Sequence, residues 1–316
     1  MSALHVAAAT VPMACNPSLS PPDSVITDWT VLTDELVARN SRSDRQARWS
    51  TALANCACNR WADVMPEEQY RVRVPRDQPC DDYINASHMR VSATGSQFIC
   101  AQAPLPGCFA RFWTMLVEQS VGVVVMLTNL VERGVRKADR YYPDGVGAAG
   151  TRMDLGDGVR VVLLDTCELS SAGSTRRLFA VYTSSSSHKT PHIVTHFHMH
   201  DWPDFGVPRR LDEFISLLNY VYIASSTTPN ICVHCSAGVG RTGVFVLVYS
   251  VFEDTHAGGG GADNGNSGTA APVATVLRAM RSHREGMVQT LEQYHFATRA
   301  IATLRATLRC RRQCRR

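Results

Sequence analysis

The amino-acid sequence predicts an α/β fold: a single domain in which a highly twisted mixed β-sheet is flanked by α-helices. Three observations carry this. Short apolar runs, Gly122-Val-Val-Val-Met-Leu127 and Ile231-Cys-Val233, read as strands buried on both faces. Segments with helical spacing alternate with such runs along the chain. The 316 residues, 45% of them apolar, are enough for a sizeable core. Length alone allows one large domain or two small ones, and no internal repeat divides the chain.

Residues 1–25 lack periodicity and carry Pro12, Pro17, Pro21 and Pro22, so they read as a flexible arm. From Val25 to about Asn55 apolar residues recur at helical spacing among charges, predicting one or two packing helices. Tyr70 to Val74 alternates and predicts a strand. Phe98 to Ala101 predicts another, followed by an amphipathic helix over Cys108 to Gln119 and the buried strand Gly122 to Leu127. Val159 to Leu164 and Leu178 to Thr183 are expected to pair as a hairpin, with the serine run Ser184 to Ser187 at a hairpin tip. Ile193 to His200 is a strand. Helices are expected over Leu211 to Ile223, Val244 to Val251, Val273 to Arg284 and Leu291 to Leu308. Gly258 to Gly268, rich in Gly, Asn, Ser and Ala, reads as a mobile surface loop. The chain ends in a basic tail, residues 310–316. Solvation is the default for so short a charge run, and weak contact with an anionic membrane or another anion is the sharper reading.

The net charge is +4, which fits an anionic substrate without demanding nucleic acid, and none is expected as a partner. The eleven cysteines follow no regular disulfide or zinc spacing, and no basic segment precedes the short apolar N-terminus. The chain therefore reads as cytoplasmic, with a nuclear or membrane-associated pool left open, and its thiols as reduced. No apolar run is long enough to span a bilayer. His196, His198 and His200 fall on one strand face, a pattern that could recruit zinc. No carboxylate or cysteine cluster accompanies them, so packing and hydrogen bonding without metal are expected.

The most informative stretch is Val233-His-Cys-Ser-Ala-Gly-Val-Gly-Arg-Thr-Gly243. A buried strand ends at His234-Cys235, glycines allow a tight turn, and an apolar helix follows. Successive N–H groups of Ser236, Ala237, Gly238, Val239 and Gly240 can converge there on an anion. Arg241 adds a bidentate fork for two phosphate oxygens. The same positive field favours the thiolate of Cys235. A lone Cys-x5-Arg spacing arises by chance, and buried cysteines are usually inert; the complete string is far more specific. A thiolate beside a phosphate cradle is equipped for in-line attack on phosphorus.

A phenolate leaving group with a pKa of about 10 calls for a proton donor. Asp201-Trp-Pro-Asp-Phe-Gly-Val-Pro208 is a structured loop by its Pro203, Gly206 and Pro208. Trp202 and Phe205 are large anchors expected to pack when the loop closes. Asp204 lies between them. Near a thiolate and a phosphate its carboxyl would be favoured in the protonated form.

With these motifs the chain resembles the class I, cysteine-based protein tyrosine phosphatases of the single-domain, non-receptor, tyrosine-specific type. The resemblance covers about Asp28 to Arg309 and implies a catalytic domain over 26–309. It implies a phosphocysteine intermediate on Cys235, with Arg241 as phosphate clamp and Asp204 as general acid and then base. It implies that Gln289 and Gln293, in Gln289-Thr-Leu-Glu-Gln293, position the hydrolytic water, and that Thr242 stabilises the departing thiolate. An amide suits that task because it donates and accepts without adding charge. Glu132 would orient Arg241, Lys137 would reach Asp204, and His234 and Trp202 would support their loops. Trp61 and Asp63, in Asn59-Arg-Trp-Ala-Asp-Val64, would form the wall of a deep phosphotyrosine cleft. The family usually has tyrosine at the Trp61 position and glycine at that of Ala103. Asn85 and Gln102 match structural motifs. The implied partners are phosphotyrosine-containing proteins, the implied cofactor is none, and a monomer is expected. The competing readings are a dual-specificity or phosphoinositide phosphatase, a catalytically dead phosphotyrosine-binding module, and, more remotely, a sulfurtransferase or arsenate reductase.

Overall fold

The computed structural model describes residues 20–39, 42–74, 82–91, 96–145, 148–184, 190–228, 230–257 and 272–313. Three helices, α1 (Asp23–Arg39), α2 (Arg42–Arg48) and α3 (Ser50–Ala54), precede strands β1 (Arg71–Arg73), β2 (Tyr83–Met89) and β3 (Gln97–Ala101). Helix α4 (Phe109–Glu118) leads into β4 (Val121–Met126), and a small hairpin follows, β5 (Val131–Glu132) with β6 (Val135–Arg136). Next come β7 (Arg152–Asp154), β8 (Arg160–Leu169), β9 (Ser174–Tyr182) and β10 (His192–Met199). Helix α5 (Leu211–Ser225), strand β11 (Asn230–His234) and helices α6 (Gly240–Ala257), α7 (Val273–His283) and α8 (Leu291–Gln313) complete the described chain.

The main sheet has the order β1-β2-β3-β11-β4-β10-β9-β8-β7. Its centre is parallel, with β11 between β3 and β4 and β10 beside β4; both wings are antiparallel. The composition follows from this. The central β4 is buried along its whole length, and Ile231, Cys232, Val233 and His234 of β11 are all buried. Such strands need apolar side chains on both faces. Residues alternate between the two layers at the strand period. Ile231, Val233 and Cys235 join the core under α5, α6 and α8, whereas Cys232 joins the core under α4. Cys232 and Cys235 therefore face opposite layers of the sheet. Helix α6 is apolar around its circumference because it is buried on all sides, from Arg241 to Phe252. Each fully buried aliphatic side chain here stabilises the fold by about 1.5–3 kcal/mol, which holds the end of β11 and the start of α6 rigidly together.

The expected mixed, helix-flanked α/β sheet is the observed fold. Differences lie at particular elements. The segment Val25 to Asn55 forms three helices. Strands β2, β5, β6 and β7 are additional to those read from periodicity. The pairing of β8 with β9 is observed, but it extends to Leu169↔Ser174 and closes through a short 3-10 turn at Ser170–Ala172. Ser184 follows β9 in the connection to β10, its antiparallel neighbour, and residues 185–187 of the serine run lie outside the described residues. Helix α1 already starts at Asp23, and α8 continues to Gln313, so residues 310–313 of the expected tail are helical. Residues 1–19, the glycine-rich segment 258–268 and residues 314–316 also lie outside the described residues.

Candidate active site

The site forms where β11 ends and α6 begins. Cys235 is 3% exposed and follows directly on β11. Gly238 turns the chain at φ +76°, and its N–H donates to Cys235 Sγ at 3.3 Å. A Cβ at Gly238 would lie 2.1 Å from the Ala101 carbonyl oxygen, so only glycine lets the loop approach β3 this closely. Gly238→Ala is expected to cost about 3 kcal/mol or more, from the strained dihedral and the backbone clash together, as read by urea denaturation. The loop is also held from outside: Ala103 N–H donates to the Ser236 carbonyl at 3.0 Å. Ser236 Oγ donates to the Lys137 carbonyl at 2.7 Å.

Arg241, in the first turn of α6, is 1% exposed. Its Nη1 donates to Glu132 Oε1 at 2.6 Å and to the Trp202 carbonyl at 2.8 Å, and its Nη2 to Asp204 Oδ1 at 3.0 Å. Glu132 Oε1 also accepts from Thr128 Oγ1 and the Asn129 N–H, and its Oε2 accepts from the Asp204 N–H at 3.1 Å. The β5–β6 hairpin therefore fixes the guanidinium and the Asp201–Pro208 loop through one carboxylate. Lys137 Nζ bonds Asp204 Oδ2 at 2.6 Å. Glu132, Lys137, Arg241 and Asp204, which lie over a hundred residues apart at the extremes, meet in one network of charge-assisted bonds.

Trp202 is buried and its indole N–H donates to the Gly206 carbonyl at 2.9 Å. Phe205 departs from the expectation of a packed anchor: it is 57% exposed. Its φ of +58° turns the ring outward while its carbonyl accepts from Thr290 Oγ1 at 3.2 Å. Gln293 is fully buried, and its amide bonds the Gln289 N–H at 2.9 Å and the Gly206 carbonyl at 3.3 Å. Gln289 is exposed, and its Oε1 would lie 2.4 Å from a Cβ on Gly240. Both glutamines reach the site; Gln293 ties two loops together, and Gln289 faces the Cys235 loop with its side chain open to solvent. Val239 is buried at the turn into α6. Thr242 is buried with an Oγ1 that has no hydrogen-bond partner among the described residues. A buried hydroxyl of this kind needs an acceptor.

Trp61 is half-buried at the opposite rim. Its Nε1 donates to Ser236 Oγ at 3.2 Å, and Lys137 Nζ lies 5.4 Å from its ring centroid. Asp63 is exposed beside it. Asn59 and Arg60 anchor this rim: Arg60 donates to the Ala103 and Pro104 carbonyls and to Asp139, while its N–H donates to Gln102 Oε1. Asn85 Nδ2 donates to Asn59 Oδ1 and to the Val64 carbonyl.

Behind the loop, His234 Nδ1 lies 3.1 Å from the Cys235 carbonyl and Nε2 lies 2.6 Å from Tyr141 Oη, which is 2.9 Å from His196 Nε2. A carbonyl only accepts, so Nδ1 of His234 carries the proton and Tyr141 donates to Nε2. Burial pushes His234 down to about 4 and His198 down to about 3, so both are neutral at physiological pH. His198 Nε2 lies 2.9 Å from the Thr128 carbonyl and His200 Nε2 lies 2.6 Å from Thr175 Oγ1. His196 and His198 on β10 and His200 just beyond it are thus each engaged with a protein group through one ring nitrogen.

Sequence reasoning missed Tyr141 and Arg284. Arg284 lies under the loop, bonded to the Ala237 and Gly238 carbonyls, Asn85 and Ser87. Proximity to the Gln289 segment was the one signal available for it.

Residues 55–303 match the family described as protein-tyrosine phosphatase. Tyrosine-protein phosphatase non-receptor type 20 of Rattus norvegicus is 33% identical over 246 residues, covering 77% of this chain and 53% of that protein. Receptor-type tyrosine-protein phosphatase eta of Homo sapiens is 34% identical over 265 residues, 81% of this chain and 18% of that protein. Tyrosine-protein phosphatase 99A of Drosophila melanogaster is 35% identical over 254 residues, 77% of this chain and 18% of that protein. The chain spans about half the length of the first and under a fifth of the other two. With a family match across most of its length and a fold that assembles one cysteine loop, one arginine and one aspartate loop at a strand end, the chain belongs to the protein-tyrosine phosphatase family.

Proposed function

We propose that this chain hydrolyses phosphotyrosine in proteins through a phosphocysteine intermediate. What supports this is a loop N–H that donates to Cys235 Sγ, together with Arg241 six residues further on, whose fork bonds the Asp204 carboxylate. The phosphate binds to the loop amides and takes the Arg241 Nη2 now bonded to Asp204 Oδ1. Cys235 Sγ, as thiolate, attacks phosphorus, and the bond from phosphorus to the tyrosine oxygen breaks. Asp204 gives that oxygen its proton, so tyrosine leaves neutral. Water held by Gln289 then attacks the phosphocysteine, Asp204 takes its proton, and the sulfur–phosphorus bond breaks to release inorganic phosphate. Gln293 supports this step by fixing the Gln289 backbone. Thr242 Oγ1 donates to the departing sulfur, which supplies the acceptor its hydroxyl lacks.

Trp61 and Asp63 are read as the wall of a phosphotyrosine cleft, with exposed Phe205 contacting substrate from the Asp204 loop. The protein is read as a cytoplasmic monomer. Seven free cysteines among the described residues support a reducing compartment, and no described helix is long and apolar enough to cross a membrane. The basic end of α8 is read as a weak contact for anionic surfaces.

Turnover of an aryl phosphate in chelator, then of phosphotyrosine against phosphothreonine peptides and inositol lipids, tests the reading. Phosphotyrosine is expected to be the faster substrate by about a hundredfold or more, a rate gap of roughly 3 kcal/mol. Equal rates would favour a dual-specificity or phosphoinositide phosphatase. Tight phosphopeptide binding without phosphate release would favour a binding module.

A further inference from the structure

A guanidinium that pairs with no carboxylate among the described residues lies beneath the Cys235 loop. Arg284 is fully buried. Its donors go to neutral acceptors: Nε to the Gly238 carbonyl at 3.0 Å, Nη1 to Ser87 Oγ at 3.1 Å, and Nη2 to Asn85 Oδ1 at 2.7 Å and the Ala237 carbonyl at 3.0 Å. Among the described residues no carboxylate pairs with it. Other buried arginines differ: Arg241 meets Glu132 and Asp204, Arg71 meets Glu68 and Asp82, and carbonyl-held Arg281 has Glu35 in its field. An uncompensated buried charge is costly, so the fold calls for an anion near Arg284.

The titratable groups that face it are Tyr83 on β2, Cys100 on β3 and Cys235 at the end of β11. Burial pushes Tyr83 up and Cys100 up to about 12, so both stay protonated and neither balances the charge. Cys235 remains. One peptide unit joins the two groups. The Ala237 carbonyl accepts from Arg284 Nη2, and the N–H of that same peptide, on Gly238, donates to Cys235 Sγ at 3.3 Å. A cation on the carbonyl polarises the peptide and strengthens its N–H as a donor.

We propose that Arg284 is a positioning residue that holds Cys235 as a thiolate, the sulfur anion being its counter-ion through the 237–238 peptide. This rests on the reading of Cys235 as nucleophile. Arg241 stands on the substrate side and meets the phosphate; Arg284 stands behind the loop and acts on the sulfur through the 237–238 peptide, whether or not phosphate is bound.

The test is the pH dependence of Cys235 alkylation by iodoacetamide in the full chain, read on the Cys235 peptide by mass spectrometry. Arg284→Met removes the charge. Asn85→Asp keeps the acceptor that faces Nη2 and supplies a competing carboxylate. Both are expected to raise the alkylation midpoint by about one pH unit or more. Ser87→Ala removes one anchor without changing charge, and its midpoint is expected to stay at the wild-type value. If only one of the charge variants folds, that one decides. Unshifted midpoints in the folded charge variants, or an equal shift in Ser87→Ala, would overturn the role of Arg284. A wild-type midpoint near about 8.5, that of an ordinary thiol, would overturn the nucleophile reading itself.

Discussion

Cys235→Ser is expected to lower aryl phosphate turnover about ten-thousand-fold or more, while the fold and phosphate binding persist. Serine is close in volume to cysteine, and the site lies against a core in which neighbouring side chains are nearly all excluded from solvent. The loop amides and Arg241 are retained, so the variant still presents the cradle. What it loses is the sulfur nucleophile that the mechanism requires, since an alcohol is a far weaker nucleophile than a thiolate. Loss of the group that forms the covalent bond removes most of the chemistry in one step. Rapid-quench mass spectrometry of the wild type is expected to place phosphate on Cys235. Turnover within tenfold of wild type in the serine variant would contradict the mechanism, as would phosphate found on another residue. Cys232, three residues away and on the other face, is expected to be replaceable by alanine without loss of turnover beyond a few-fold.

Asp204→Ala is expected to lower kcat by about a hundred- to ten-thousand-fold, the range of general acid–base catalysis. KM for an aryl phosphate is expected to stay level or fall. The reason is geometric: without substrate the Asp204 carboxylate occupies Arg241 Nη2 at 3.0 Å and Lys137 Nζ at 2.6 Å, and a phosphate must displace the first contact. Alanine releases the fork in advance. The loss should shrink as the leaving group becomes more acidic, because a good leaving group needs no proton. Steady-state kinetics over a series of aryl phosphates checks this. A rise in KM that accounts for the whole effect would show that Asp204 serves binding instead. The same variant should retain bound phosphoproteins in a lysate, which makes it a route to the physiological substrates.

Much of the site was legible in the residues themselves. Cys235, Arg241 and the glycines between them share one local segment, so strand-to-helix geometry alone brings them together. Asp204 was legible because Trp202, Pro203 and Gly206 mark a structured loop. The outward turn of Phe205 was not, since a positive φ at a phenylalanine carries no signature in composition. Gln293 was read as a partner of the water; its amide is instead spent on the Gln289 N–H and the Gly206 carbonyl. Arg284 had only its proximity to the Gln289 segment to mark it: a buried arginine looks like a surface arginine until the groups around it are known.

The sequence by itself determined the α/β class, the order of the central strands' apolar runs and the cysteine loop, because these depend on short-range periodicity and on residues within one turn of chain. Only the tertiary structure decided which distant groups face the loop: Glu132 on Arg241, Lys137 on Asp204, Trp61 on Ser236, and Arg284 behind the 237–238 peptide. Those pairings are set by strand order and by the crossings between β3, β11 and β4, where hydrogen bonds and charge act across space between residues that no local pattern connects.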